Sequence, residues 1–456
     1  MKKYEQYKKI IMFLLGLFMV SVLTAAYGYV WYEHYLYLVV YPFLGKGNLL
    51  VILIYAILIA FFLQVYSGYK FGYLKLGDVI FSQVLSIVIT NLITYFQISL
   101  IGRSLFPVTP MLGLTVTEII FSIVWSTFAS TIYHKMYPPH KTLMIYGSEM
   151  KSSIKMASSL ERKMKKRSDK YRIKEMVDVS VGLDTLKEMM QHYDAVLICD
   201  VKTEMRNKIL KYCFEKSIRT YITPKISDII VRSADDIHLF DTPLLLCRNY
   251  GLNFEQRVIK RLMDIVISLV ILTITSPIML VTAIAIKAYD HGPAFFKQKR
   301  CTINGKVFEI LKFRSMIVDA EKPGMVIPAK DRDPRITPVG RFIRATRIDE
   351  LPQLINVLKG EMSIVGPRPE RVEHVEKYSK DIPEFSYRLK VKGGLTGYAQ
   401  VLGKYNTTAY DKLKLDLMYI ENYSIALDLK LLLMTIKIVF SKESTEGLKK
   451  KIIDDF

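Results

Sequence analysis

The chain has 456 residues, 51% of them hydrophobic, with a mean hydropathy of +0.21 and a formal net charge of +21. That hydropathy argues against an ordinary soluble enzyme, and the length allows two or three domains besides membrane segments. The basic excess suits an anionic lipid surface or phosphorylated substrates. No helix-turn-helix, zinc or RNA-binding signature accompanies it, so nucleic acid is not expected as a partner.

Four apolar stretches, roughly 10–32, 48–68, 78–101 and 111–133, are each long enough to cross a bilayer at ~20 residues per span. Lys2, Lys3, Lys8 and Lys9 precede the first, Lys70 and Lys75 lie between the second and third, and His134, Lys135, His140 and Lys141 follow the fourth. The other two loops hold only Lys46 and Arg103. The charge bias therefore predicts a cytoplasmic N-terminus and a cytoplasmic remainder after Tyr133. The N-terminal run lacks a small-residue cleavage site and reads as an anchor. Glu118 is the main charge inside these spans and is expected at an interface or a helix contact. The lack of charged or broken helices argues against a transporter.

Residues 141–250 read as a small soluble α/β domain. Leu143–Gly147 and Asp194–Asp200 have the form of buried strands, with a basic helical stretch through Arg167 after the first. A dinucleotide site would want GxGxxG at the first turn. Here the turn is Gly147-Ser148-Glu149-Met150-Lys151, with one glycine and an acid that would repel a diphosphate, so a structural or regulatory role is expected. The four cysteines, Cys199, Cys213, Cys247 and Cys301, form no CxxC pair and are expected as reduced thiols.

Asp264–Ile286 is apolar again. Basic residues flank both ends, and Ser276-Pro277 interrupts its middle. A helix that enters the membrane, bends and returns to the same face over 261–289 accounts for both facts. The carbonyls freed at the break would need partners such as the hydroxyls of Thr273 and Thr275. Residues 318–340 read as an irregular loop. Arg341–Ile348 reads as a short amphipathic helix on the membrane surface, and 425–440 as another surface or core helix.

Asp349-Glu350-Leu351-Pro352-Gln353-Leu354 follows, with Leu351, Leu354, Ile355 and Leu358 at helical spacing. A helix is expected to begin close to Asp349, since proline is tolerated in a first turn. Two acids at a helix start are most simply a cap and a dipole-matching charge. The surroundings point further. Helix N-termini favour phosphate, and Arg344 and Arg368 could clamp it bidentately. Glu350 is a hard oxygen ligand suited to Mg²⁺. An aspartate so placed can attack phosphorus and split one transfer into two steps.

At these residues the C-terminal part, about 254–445, resembles the bacterial sugar transferase family, the monotopic phosphoglycosyl transferases. The matching pieces run in order. Lys260-Arg261-Leu262-Met263-Asp264, Ser276-Pro277, Gly292-Pro293 and Phe296-Lys297-Gln298 come first. Lys312-Phe313-Arg314-Ser315-Met316, Asp333-Pro334-Arg335-Ile336-Thr337 and Gly340-Arg341-Phe342-Ile343-Arg344 follow. The acidic pair, Gly366-Pro367-Arg368-Pro369-Glu370, and Gly394-Leu395-Thr396-Gly397 with Gln400 complete the set. The four spans and Rossmann-like middle domain resemble the long form of the family in order and topology.

The resemblance implies transfer of a sugar-1-phosphate from a UDP-sugar to a polyprenyl (undecaprenyl) phosphate with release of UMP, initiating exopolysaccharide or capsule assembly at the bacterial inner membrane. It makes Asp349 the nucleophile, Glu350 the holder of Mg²⁺, and Arg344, Arg368, Lys312 and Arg314 the phosphate-binding cations. It makes Ser276-Pro277 the break of a re-entrant helix, and Pro367, Pro369, Glu370, Gly394, Thr396, Gly397 and Gln400 a substrate loop. The implied architecture is four transmembrane helices (1–140), the Rossmann-like domain (141–250) and the catalytic domain (251–456). Two departures stand out: Gly393 replaces a proline common before Gly394, which is expected to loosen that turn, and Tyr398 replaces a tryptophan. A non-catalytic membrane scaffold or sensor is the alternative reading. A homodimer, the sugar and the polyprenyl length are left open.

Overall fold

The computed structural model describes residues 5–39, 46–147, 151–247, 251–318, 320, 333–403 and 407–439. The chain divides into two compact units, Met1–Thr223 and Pro224–Phe456. Among the described residues five helices are long and apolar enough to cross a membrane: four in the first unit and one in the second.

In the first unit, α1 (Lys8–Val30), α2 (Gly47–Val65), α3 (Leu76–Gly102) and α4 (Thr109–Met136) form a bundle. Its outer surface is apolar, with Phe13, Leu50, Leu92 and Val124 exposed, while much of its polarity lies inside. In hydrocarbon an apolar surface has no drive to leave its solvent, so packing and interhelical hydrogen bonds must hold such a bundle. Glu118 is the centre of one such set. It is 1% exposed and accepts from Tyr55 Oη at 2.6 Å and Asn91 Nδ2 at 2.8 Å, joining α2, α3 and α4. It is thus a helix-contact residue. Gln83 Oε1, from α3, accepts from Ser122 and Ser126 on α4.

The chain then enters β1 (His140–Tyr146), α5 (Lys151–Lys165), β2 (Tyr171–Asp178), α6 (Leu183–Met190), β3 (Ala195–Cys199), α7 (Thr203–Glu215) and β4 (Arg219–Ile222). The four strands form one parallel sheet in the order β2-β1-β3-β4. Alternate side chains leave opposite faces. Leu143, Ile145, Val196 and Ile198 accordingly join one apolar cluster and Met144, Leu197 and Cys199 another. Both faces are covered, as a parallel sheet requires. At the strand order's reversal, Asp200 accepts from Ser153 Oγ at 2.7 Å, so a carboxylate occupies the end of β3. Glu5 pairs with Arg219 and, at 3.1 Å, with His140, tying the chain ahead of α1 to the sheet. The four cysteines are free thiols.

The second unit opens with α8 (Ile226–Arg232), whose Ile226 and Ile229 join the core of this unit, and a hairpin of β5 (Asp235–Leu239) and β6 (Thr242–Leu246). The long helix α9 (Phe254–Asp290) follows, capped by Asn253 with Gln256. Next come the antiparallel pair β7 (Phe295–Cys301) and β8 (Val307–Phe313), α10 (Pro338–Ala345), α11 (Gln353–Lys359) and β9 (Ser363–Val365). After α12 (Val372–Asp381) and a 3-10 turn at Pro383–Lys390 come β10 (Gly394–Thr396), α13 (Tyr398–Leu402), α14 (Ala409–Glu421) and α15 (Ile425–Val439). The core gathers Val357, Met362, Ile364, Phe385, Leu413, Leu417 and Leu431.

Helix α9 continues past Pro277, which lies inside it. Its two ends both dock on this unit. At the first, Arg261 donates to the carbonyls of Val357 and Leu358, and Asp264 accepts from Ser363 Oγ and the Ile364 amide. Buried Lys260 meets buried Asp428 at 2.5 Å. At the second, Ile286 packs with Phe313 and Ile343. Between them Leu269, Val270, Ile274, Ile278, Leu280 and Val281 are all exposed. Proline has no amide hydrogen for the Thr273 carbonyl. Ser276 Oγ donates to that carbonyl at 2.9 Å, while Thr273 and Thr275 bond to Leu269 and Ile271. The compensating hydroxyl is therefore that of Ser276, beside the proline, rather than those of the two threonines.

Candidate active site

The acidic pair lies on a single 3-10 turn, Ile348–Glu350, ahead of α11, which starts at Gln353. The helix expected from Asp349 thus begins four residues later, and the pair is not its cap. Arg347 immediately before it has φ 60°, a left-handed conformation that costs a non-glycine residue free energy. The reversal lets the chain leave α10, turn sharply and present both acids.

Two segments converge on Glu350. Lys312, on β8, reaches its Oε1 at 3.1 Å. Arg368, on the loop after β9, reaches the same oxygen at 2.6 Å. Burial pushes the Glu350 carboxyl up, but Arg368, Lys312 and Arg347 outweigh it and hold it well below the usual carboxylate range. Burial likewise drives the Lys312 ammonium below its ordinary value, against the pull of Glu350. Asp349 goes the other way. Burial, then the neighbouring Glu350 charge, push its carboxyl up to about 6, while Lys312, Arg344 and Arg347 oppose the rise. One acid is thus a fixed anion and the other an adjustable one. Environments that separate two carboxylates in this way are a mark of divided chemical roles.

The remaining expected residues are placed as follows. Arg344, at the end of α10, acts on Asp349 through its field. Arg314 lies elsewhere: it is 7% exposed, forms a two-armed pair with Asp290 and donates from Nε to Pro293 O at 2.7 Å. That guanidinium is committed to the end of α9, so the structure does not gather it with Lys312 and Arg368 at the acidic pair. Ser276 and Pro277 sit on the exposed middle of α9, away from the pair.

Gly366-Pro367-Arg368-Pro369-Glu370 and Gly394–Gly397 run side by side, with β9 and β10 pairing in parallel and the Gly366 amide donating to Thr396 O at 2.8 Å. A Cβ on Gly394 would lie 2.1 Å from the Gly366 nitrogen, and one on Gly397 2.0 Å from the Gly366 oxygen, so no larger residue lets the two strands approach. Thr396 Oγ1 meets Thr435 Oγ1 at 2.7 Å. Gln400 lies beside Gly397 with its amide atoms buried. Gly393 does not loosen its turn. Its amide donates to Thr302 Oγ1 at 3.1 Å and its carbonyl accepts from Ser363, two ties of which a proline could make only the second. Glu370 is partly buried, yet His374, Arg388, Lys412 and Arg300 overcome the burial and keep its carboxyl well below the usual range.

Sequence reasoning left Arg300, Arg388 and Asp416 out of the site. Each stands outside the acidic pair's neighbourhood in the chain, and no local pattern marks it. Only the fold brings them behind the Arg368 loop.

Fold and site together define a membrane protein carrying an α/β unit with a cation-lined acidic pair. The profile of the bacterial sugar transferase family matches residues 255–442. A UDP-glucose:undecaprenyl-phosphate glucose-1-phosphate transferase of Caulobacter vibrioides is 42% identical over 182 residues, covering 39% of this chain and 68% of the relative. A Klebsiella pneumoniae protein of the same name is 38% identical over 259 residues, covering 56% of this chain and 54% of the relative. A UDP-N-acetylgalactosamine-undecaprenyl-phosphate N-acetylgalactosaminephosphotransferase of Aeromonas hydrophila is 43% identical, covering 40% and 44%. The chain belongs to the bacterial sugar transferase family. Its match spans about half the length of the Klebsiella and Aeromonas proteins.

Proposed function

We propose that the protein transfers a sugar-1-phosphate from a UDP-sugar to polyprenyl (undecaprenyl) phosphate, releasing UMP and starting a capsule or exopolysaccharide glycan on its lipid carrier. The observation that carries the reading is the acidic pair itself: a fixed anion held by Lys312 and Arg368 beside an aspartate kept titratable near neutrality. In the first step an Asp349 oxygen bonds to the β-phosphorus. The bond from that phosphorus to the bridging oxygen breaks, and UMP leaves with the electron pair. In the second step a phosphate oxygen of the lipid bonds to the same phosphorus and the Asp349 carboxylate departs. Arg368, Lys312, Arg344 and Arg347 supply positive charge where the diphosphate's charge redistributes. Relatives' names carry glucose, galactose and N-acetylgalactosamine, so the hexose is left unassigned.

The donor set suits Mg²⁺, which takes one or two carboxylates and completes its shell with water and substrate phosphates. No group of three His, Cys, Asp or Glu forms a metal cage among the described residues. Glu350, with Asp349 beside it, would hold an ion that arrives with the diphosphate. Bound there, Mg²⁺ would offset phosphate charge.

We read α9 as re-entrant. Helix 261–289 docks at both ends on one globular unit and exposes an apolar middle, which supports a helix dipping into one leaflet and returning at Pro277. With α1–α4 as full spans, the loop charges favour a cytoplasmic catalytic unit and a Rossmann-like middle domain on the same side. Exposed Phe342 beside Arg341 and Arg344 on α10 suits a membrane-surface helix.

The test uses purified protein, Mg²⁺ and UDP-sugars labelled in the sugar phosphate, with no lipid. Label should appear on Asp349 with an equivalent of UMP. UMP release that persists undiminished in Asp349→Asn would remove the aspartate from the reaction.

A further inference from the structure

Four consecutive carbonyls of the arginine loop each accept a hydrogen bond from outside it. Pro367 O takes the Gly394 amide at 2.8 Å, and Glu370 O takes the Cys301 amide at 3.0 Å. Pro369 O takes Arg300 Nη1 at 3.1 Å, and Arg368 O takes Arg388 Nη2 at 2.9 Å. Pro367 and Pro369 have no amide hydrogen, so the loop cannot be stiffened by a regular strand ladder. Its shape depends on these donors, two of which are arginine side chains.

Arg388 is the more committed of the two. It is 3% exposed, and its Nη2 also pairs with Asp416 Oδ2 at 2.7 Å, Asp416 being 1% exposed. Its Nη1 lies 3.6 Å from Glu370 Oε1, and the guanidinium stands 5.0 Å from the Phe385 ring centroid. A buried ion pair contributes little more stability than apolar residues of the same volume, because desolvation offsets its attraction. Stability is therefore a poor explanation for a guanidinium here. Geometry is a better one. Asp416, Glu370 and Phe385 flank the planar fork on three sides, and one of its arms donates to the main chain of the residue whose own guanidinium grips Glu350.

We propose that Arg388, backed by Asp416, is a positioning residue. It touches no substrate and acts by holding the Arg368 main chain so that the Arg368 guanidinium meets Glu350 and the substrate diphosphate. This rests on the proposed transfer reaction, in which placement errors of about 1 Å can cost about 10²-fold in rate.

The experiment measures UMP release by the full-length protein in detergent, with thermal unfolding alongside. Arg388→Lys keeps a cation for Asp416 but loses the rigid fork. The paired variant Arg388→Met/Asp416→Leu removes both charges together and leaves neither buried alone. Both should lower kcat/KM for the UDP-sugar at least tenfold, with the paired variant melting close to wild type. In an Arg368→Lys background, Arg388→Lys should cost less than a further twofold, because residues acting through one another are not additive. Near-wild-type turnover in both variants would overturn the inference and leave the transfer reaction standing. So would a loss that multiplies in full on Arg368→Lys, the mark of independent structural damage. Wild-type protein that releases no UMP from any UDP-sugar would instead sink the reaction and this inference with it.

Discussion

In the proposed transfer Asp349 must be ionised to attack phosphorus, and its carboxyl sits at about 6 in place of the ordinary 3.8. A group at 6 is about nine-tenths ionised at pH 7 and about one-tenth at pH 5. Formation of the covalent phosphosugar should therefore be about tenfold faster at pH 7 than at pH 5. An aspartate at its ordinary value would give a ratio near one. The assay is a single turnover with labelled UDP-sugar, quenched and counted on protein. Leaving out the lipid phosphate matters, since its own second ionisation near pH 6 would overlay the same limb. Lys312→Met tests the direction of the shift. Lys312 opposes the rise in Asp349, so its removal should carry the acid limb to higher pH. A ratio near one in wild type, or a limb that moves down in Lys312→Met, would refute the reasoning.

Other outcomes follow from the same geometry. Because the folded Asp349 carboxyl lies above its unfolded value, its contribution to stability is full below about pH 4 and is lost as pH rises through about 6; Asp349→Asn should thus raise stability by about 1–3 kcal/mol at pH 7.5, seen as a higher melting temperature. Lys260→Met leaves Asp428, 1% exposed, without its cation and with the Tyr419 hydroxyl as its remaining side-chain donor, and should cost about 3–5 kcal/mol, whereas Lys260→Met/Asp428→Leu should recover most of the loss in the same melting assay. In the bundle, Glu118→Gln can still accept from Tyr55 and should stay within about 1 kcal/mol of wild-type stability, while Glu118→Leu strands the Tyr55 hydroxyl, leaves Asn91 Nδ2 with only Thr115 Oγ1, and should cost about 1–2 kcal/mol in detergent. Arg314→Ala should loosen the end of α9, read as faster proteolysis or amide exchange around 286–293 before any change in phosphate affinity.

Parts of this molecule were legible because their signal is local. The four spans need only a run of apolar residues matching a bilayer's thickness, and each of those stretches is a helix. The buried strands β1 and β3 were marked by unbroken apolar runs, whereas β2, half-exposed at the sheet edge and rich in Lys, Arg and Glu, carried no such mark. Ser276, rather than Thr273 or Thr275, serves the Thr273 carbonyl, because a spacing shows which side chains are near, not which rotamer reaches. Arg314 shows the same limit: as a cation close in sequence to Lys312 it looked like a phosphate ligand, but β8 ends between them and the two face different partners.

By itself the sequence determined the membrane character, the α/β content and the acidic pair with most of its cations, since each is written in residue type and short-range order. Only the tertiary structure decided that Lys312 and Arg368 meet on one Glu350 oxygen, that Arg347 reverses the chain ahead of the pair, and that Arg388 reaches the Arg368 carbonyl. Those contacts join residues 18 to 38 positions apart, and for the last pair 20. They depend on how strands and turns pack, and packing is a property of the whole core rather than of any segment within it.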